Sequence, residues 1–287
     1  MSAWFFWGLV LPLFSALTVA LVGVLTRGAG DRLAYISLLN LTVAVLALPF
    51  VPFTPWPKEK AVYFLLASAL VHWVYQLNMI RTLSLGDLSL AFPLMRGLAP
   101  ILIALIGTIF LGEHHSTLAW AGLSSATAAL IGFGLAGHHF KTDTSDPRIF
   151  LSAIATAICV AAYTVIDAEG VRAMSQGEGW GFVVWFFVLG GIPTIATGWH
   201  LRRHIAAEAI MSAWKPGAIA GALSFFSYGA ALLAMEHMPI AHVAAIRETS
   251  VVFAAIFGWL LLNEPFGNLR IGLSILIVVG LVILKLA

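Results

Sequence analysis

Residues 92–113 read FPLMRGLAPILIALIGTIFLGE, and from Ala91 to Leu111 the one charged side chain is Arg96. An arginine at the centre of a bilayer helix costs at least roughly 2.5 kcal/mol, so this residue needs a partner or a polar cavity. The same pattern returns in the second half of the chain. Residues 96–113, RGLAPILIALIGTIFLGE, lie without a gap over residues 247–264, RETSVVFAAIFGWLLLNE. Arg96 meets Arg247, Gly107 meets Gly258 and Glu113 meets Glu264, so one R-x10-G-x5-E pattern occurs twice. A shorter echo links Ala16-Leu17-Thr18-Val19 to Ala162-Tyr163-Thr164-Val165.

The surrounding composition is that of a membrane protein. The chain has 287 residues, 61% hydrophobic and 10% charged, against roughly 25% charged in a soluble domain. A formal net charge of +2 without a basic tract excludes nucleic acid as a partner. The single cysteine, Cys159, excludes a disulfide framework and any CxxC redox or metal motif. No cofactor-binding pattern is present. The N-terminus lacks a charged leader region, and its apolar run exceeds the roughly 7–15 residues of a signal peptide. It reads as a retained first span.

Charged and Gly/Pro-rich breaks divide the chain into apolar segments near the 20 or so residues that cross a bilayer. They cover about 3–26, 33–52, 61–81, 87–111, 117–136, 149–166, 179–199, 217–235, 240–262 and 268–286. The expected fold is therefore all-α, with ten transmembrane helices. Residues 1–140 form a first five-helix repeat and residues 141–287 a second. Five helices is an odd number, so the second repeat enters the membrane from the opposite side and the two are inverted. Inverted repeats belong to secondary transporters, which bind substrate near the midplane between halves.

The chain resembles the EamA-type, ten-helix branch of the drug/metabolite transporter superfamily. The resemblance rests on GDLSLAFPLMRGLAP (86–100), the LGE ending at Glu113 and the LNE ending at Glu264. The glycine-bearing spans AWAGLSSATAALIGFGL and RIGLSILIVVGLVIL add to it. It implies a cavity lined by helices one, three, four, six, eight and nine, and export of amino acids or related metabolites. Wider relatives move nucleotide sugars, triose phosphates or drugs. It also implies a multi-pass protein of the inner (plasma) membrane, monomeric or homodimeric, with both termini in the cytoplasm. The loop charges oppose that orientation. Four Lys/Arg lie on the N-terminal side and nine on the other, which by the positive-inside rule would put the termini outside.

Candidate substrate-binding residues follow from polar chemistry inside the spans. Arg96 shares a helical face with Ser89 and Pro93, and it and Arg247 suit a carboxylate or phosphonate held by forked hydrogen bonds. Glu248 lies about 100° around the helix from Arg247, so the two contact different neighbours. It suits a substrate ammonium group or proton coupling, with His242 as a second titrating group. His72, Tyr75, Gln76 and Met79 form a polar-aromatic stripe on span three. Tyr163 and Tyr228 lie on spans that the resemblance places around the cavity. Gly107, Glu113, Gly258 and Glu264 read as structural, with the glutamates capping a helix or pairing across a loop. Asp167, at the end of span six, reads as interfacial. His200, His204 and Glu208 share a face at i, i+4 and i+8, but in an exposed basic segment, so no metal site is expected.

No HExxH, GxSxG or GxxxxGK[ST] motif appears, which argues against an enzyme and against built-in ATP hydrolysis. The leading reading is a secondary transporter, an exporter of a small zwitterionic or anionic, amino-acid-like metabolite, by alternating access with protons as coupling ion. The alternatives are a permease for a phosphorylated or phosphonate-bearing anion, and a multidrug or cation exporter.

Overall fold

The computed structural model describes residues 5–27, 31–85, 95–136, 147–203, 206–253, 256–257 and 268–286. All regular structure among them is helical. A π-helical turn, Phe6–Val10, leads into α1 (Leu11–Arg27). Then follow α2 (Arg32–Ala47), α3 (Lys60–Leu85), α4 (Ala99–Phe110), α5 (Thr117–Ala136) and α6 (Pro147–Arg172). The second half continues with α7 (Gly179–Arg202), α8 (Ala206–His237), α9 (Ile240–Arg247) and α10 (Asn268–Leu286). Five of these stretches are long and apolar enough to cross a membrane: Arg32–Phe53, Lys60–Leu85, Pro147–Arg172, Gly179–Arg202 and Ala213–His237. The expected span six ends too early, since α6 runs on to Arg172.

Local sequence explains the irregular points. Asp31 caps α2 by accepting from the N–H groups of Leu33 (3.0 Å) and Ala34 (3.1 Å), satisfying donors that a helix start leaves orphaned. Pro49 and Pro52 lack donors, so α2 tightens into a 3₁₀ extension, Leu48–Phe53. Gly190 and Gly191, followed by Pro193, divide α7 into Gly179–Leu189 and Ile192–Arg202.

Packing pairs helices from the two halves. The main seams are α5 with α10, α3 with α6, α2 with α8, α1 with α8 and α2 with α7, with smaller ones of α4 against α6 and α9. The α2–α8 seam is close because Gly217 and Gly221 present no side chain. A Cβ on Gly221 would sit 2.6 Å from Thr42 Cβ and 2.7 Å from Leu39 O. Small residues at such spacing let two backbones approach in a membrane, where lipid leaves little hydrophobic force between helices. Outward-facing apolar side chains such as Tyr63, Leu66, Ile109, Phe110 and Leu151 are more than half exposed. That surface suits lipid rather than water.

One end of the bundle is filled. Ala61, Leu65, Phe182, Val183, Met235 and Ile240 belong to one buried core there. At the same end Arg172 closes the α6 terminus over its neighbours. Its Nε donates to Met235 O (3.2 Å), one Nη to Met238 O (3.1 Å), and the other lies 3.5 Å from Glu113 and 3.0 Å from Glu169. The opposite end carries the Asp31–Arg202 ion pair, which joins the start of α2 to the end of α7.

Candidate functional site

The two repeat arginines sit beside two helix breaks. In the first half, helix covers residues 95–97, a turn falls at Leu98, and α4 begins at Ala99. Pro100, with no N–H, accounts for that interruption. In the second half α9 ends at Arg247, turns occupy Glu248 and Thr249, and helix resumes at Ser250. There the cause is different: Thr249 Oγ1 donates to Ile246 O at 2.7 Å, and the backbone switches to short i to i+3 bonds such as Thr249 N to Ile246 O (3.1 Å).

Both arginines are buried, 8% and 5% exposed, and both line a cavity of about 200 Å³. Their partners differ. Arg96 Nη1 lies 3.2 Å from Glu248 Oε1, an ion pair between the two halves. Arg247 donates from Nε to Ser15 Oγ (3.0 Å), and its guanidinium sits 5.2 Å from the Tyr228 ring centroid. Its two terminal nitrogens have no partner among the described residues. Ser15 in turn is fixed to Ser227 across α1 and α8, 3.2 Å between hydroxyls.

The cavity wall is aromatic and amphipathic. From α3 come His72, Tyr75, Gln76 and Met79, the whole stripe read from the sequence, and from α6 and α8 come Tyr163 and Tyr228. Gln76 is held by Asn40 through two amide hydrogen bonds of 3.1 and 3.3 Å. The cavity reaches from the bundle centre toward the end that carries Asp31 and Arg202. It is lined there by Val22, Tyr35, Ile36 and Leu83. The filled core occupies the other end.

Asp167 is the main departure from the sequence reading. It is 0% exposed rather than interfacial. Its Oδ2 faces His72 Nε2 at 2.9 Å and accepts a hydrogen bond from the Tyr228 hydroxyl. Its Oδ1 is buried without a partner. The polar run DAEG made this position look like a helix end. The signal that places it correctly is the i, i+4 spacing from Tyr163, which puts both on one face.

The remaining candidates distribute as follows. His242 is buried and 3.3 Å from Gly8 O, away from the cavity wall. The turn after α4 explains the G-x5-E pattern. Glu113 N donates to Gly107 O at 3.0 Å, Gly112 takes the left-handed conformation (φ +67°) that favours glycine, and the Glu113 carboxylate folds back onto the helix. A Cβ on Gly107 would lie 2.7 Å from Glu113 Oε2, so the glycine makes room for the glutamate. Ser89, Pro93, Gly258, Glu264 and His204 lie outside the described residues. No group of metal ligands occurs among those described.

Comparison with known proteins agrees with this architecture. Residues 148–286 match the EamA-like transporter family, a similarity consistent with the drug/metabolite transporter superfamily. An uncharacterized transporter in the cobO 3′ region of a Sinorhizobium species is 27% identical over 135 residues, covering 45% of this chain and 95% of the relative. A crystal structure of another protein has a TM-score of 0.69 at 17% identity over 96% of this chain and 98% of its own, a likeness of fold. The second half of the chain is thus similar to proteins of a transporter family, and the whole chain shares its fold with a solved structure.

Proposed function

We propose that the protein is a secondary transporter of the inner (plasma) membrane. In this reading two inverted five-helix repeats, residues 1–140 and 141–287, carry a small carboxylate-bearing, amino-acid-like solute by alternating access. The seams support a two-fold relation between the halves. Exchanging each helix for its counterpart five places along turns the α3–α6 seam into α8–α1 and leaves α4–α9 and α5–α10 unchanged. A cavity running from the centre to one end, with the other end filled, suits one state of such a carrier.

The observation that carries the substrate reading is Arg247, a buried guanidinium lining the cavity with its fork unengaged by any described carboxylate. Such a fork takes a carboxylate by two parallel charge-assisted hydrogen bonds. The aromatic wall of Tyr75, Tyr163 and Tyr228 accommodates the rest of the solute. A cavity of about 200 Å³ is below the roughly 300–1,000 Å³ of drug-sized sites, which favours a small metabolite over a drug. Because Arg96 is engaged with Glu248, one cation faces the substrate, which favours a carboxylate over a doubly charged phosphate. Export is the direction that the family resemblance implies.

The test is a thermal-shift screen of purified protein against amino acids, phosphonates, sugar phosphates and organic cations. A ligand that binds only the folded state raises Tm. Stabilisation of the wild type by a carboxylate compound, lost in Arg247→Ala, is expected. Stabilisation by cations alone, or an equal response in the variant, would overturn the reading. Uptake into inside-out vesicles then decides direction.

A further inference from the structure

We propose that His72 and Asp167 form a single proton-binding site, and that this pair takes up one proton whenever a net anion occupies Arg247. The inference rests on the anion reading of Arg247 and adds what is coupled to it.

The pair has the construction such a site needs. Asp167 is a fully buried carboxylate with one oxygen shared between His72 and Tyr228 and the other without a partner. A buried carboxylate with one oxygen unpartnered is costly, and a proton on the pair lowers the net buried charge. His72 lines the cavity, so protons reach it from the side on which the solute enters. Its ring is fixed by packing against Tyr163 (4.0 Å between centroids), Phe186 (4.8 Å), Tyr228 (5.7 Å) and Tyr75 (6.2 Å). The ionisable groups facing the pair are Tyr75 on α3, Tyr163 on α6 and Tyr228 on α8. Beyond them stand Arg96 before α4, Arg247 at the end of α9 and, paired with Arg96, Glu248 in the turn that follows, while α7 contributes only phenylalanines.

Charge balance supplies the coupling. With His72 neutral, the two buried arginines are matched by Glu248 and Asp167, and the empty cavity carries no net charge. A monoanion on Arg247 leaves one uncompensated negative charge in a low-dielectric site, which is expensive. A proton on the His72–Asp167 pair restores neutrality. Tyr228 makes the link short, because its hydroxyl donates to Asp167 while its ring lies against the Arg247 guanidinium. The coupling is reciprocal: anion binding strengthens proton binding by the factor by which the proton strengthens anion binding. Glu248 Oε2 is likewise buried without a partner, but its other oxygen faces the permanently charged Arg96, so Glu248 is assigned as the fixed counter-charge and the pair with His72 as the proton carrier.

The experiment uses methanesulfonate, whose own charge does not change with pH, titrated calorimetrically into the purified full-length protein. Repeating the titration in buffers of different ionisation enthalpy counts protons. One proton taken up per anion is expected at high pH, with affinity falling about tenfold per pH unit once the pair is deprotonated. Both effects should vanish in His72→Gln and in Asp167→Asn, each of which keeps the shape of the pair. Affinity independent of pH in the wild type, or unchanged proton uptake in both variants, overturns the proposal. Infrared difference spectra between acid and alkaline buffer, without any anion, give an independent check. A carboxyl or imidazolium band removed by both substitutions is expected, and its absence defeats the proton site whatever binds Arg247. Failure of methanesulfonate to bind at any pH, with that band present, counts instead against the Arg247 reading.

Discussion

Arg96 and Arg247 are the same residue in two copies of one pattern, yet the first is paired directly with a carboxylate and the second is not. The cause is the next position. Gly97 follows Arg96, and a Cβ there would lie 3.1 Å from Leu130 Cβ and 3.3 Å from Ile131 N, so close packing on α5 disfavours a side chain. Glu248 follows Arg247 and reaches across the repeat boundary to Arg96. A single acid serves one of two cations. The arginine beside it in sequence is left with a serine hydroxyl and a tyrosine ring. The repeated sequence pattern thus accounts for two buried arginines, and its departure at one residue leaves only one of them without a carboxylate partner among the described residues.

The largest way to break that comparison is Glu248→Gln. Leaving Arg96 buried without its counter-charge should cost roughly 3–5 kcal/mol, read as a fall in Tm of purified protein. The double change Arg96→Met with Glu248→Met should recover most of it, since apolar replacements of buried pairs are often neutral. A wild-type Tm in Glu248→Gln would remove the asymmetry argument. Next comes Arg247→Ala, which should lower affinity for a carboxylate probe by roughly 10–150-fold, the worth of about 1.5–3 kcal/mol for hydrogen bonds to a charged group. Its Tm should fall less than that of Glu248→Gln.

Gly97→Ala sharpens the comparison from the other copy. Overpacking against α5 should cost about 1–3 kcal/mol, and a neutral outcome in thermal denaturation would mean that packing does not dictate glycine there. The smallest effect belongs to an ion pair at the bundle end. Partial burial would raise the Asp31 carboxyl, but the hydrogen bond from Arg202 and those from the Ala34 and Leu33 N–H groups outweigh it and hold the group below its ordinary value near 3.8. Its stabilisation is thus complete above that value and fades as pH falls through the lower folded one. Asp31→Asn should cost up to about 1 kcal/mol near neutral pH, with the difference from wild type closing in acid. A gap that persists in strong acid would assign Asp31 a role independent of its charge.

Much of this was legible in the residues. Hydrophobic run lengths placed the helices, and the i, i+3, i+4, i+7 spacing of His72, Tyr75, Gln76 and Met79 named one cavity wall. The angle between adjacent helical residues already sent Arg247 and Glu248 to different neighbours. What stayed hidden depended on contacts between distant segments. Nothing near Asp167 announces His72, 95 residues earlier, or Tyr228, 61 residues later.

The four buried charges have a consequence for energetics across the membrane. Moving one elementary charge through the field costs about 2.3 kcal/mol per 100 mV, so a carrier returning with a charged empty cavity would be slowed or driven by voltage. Two arginines matched by Glu248 and Asp167 give the empty cavity no net charge to move. Under the carrier reading proposed above, the empty return is then indifferent to the membrane potential, and any voltage dependence of the cycle arises in the loaded step.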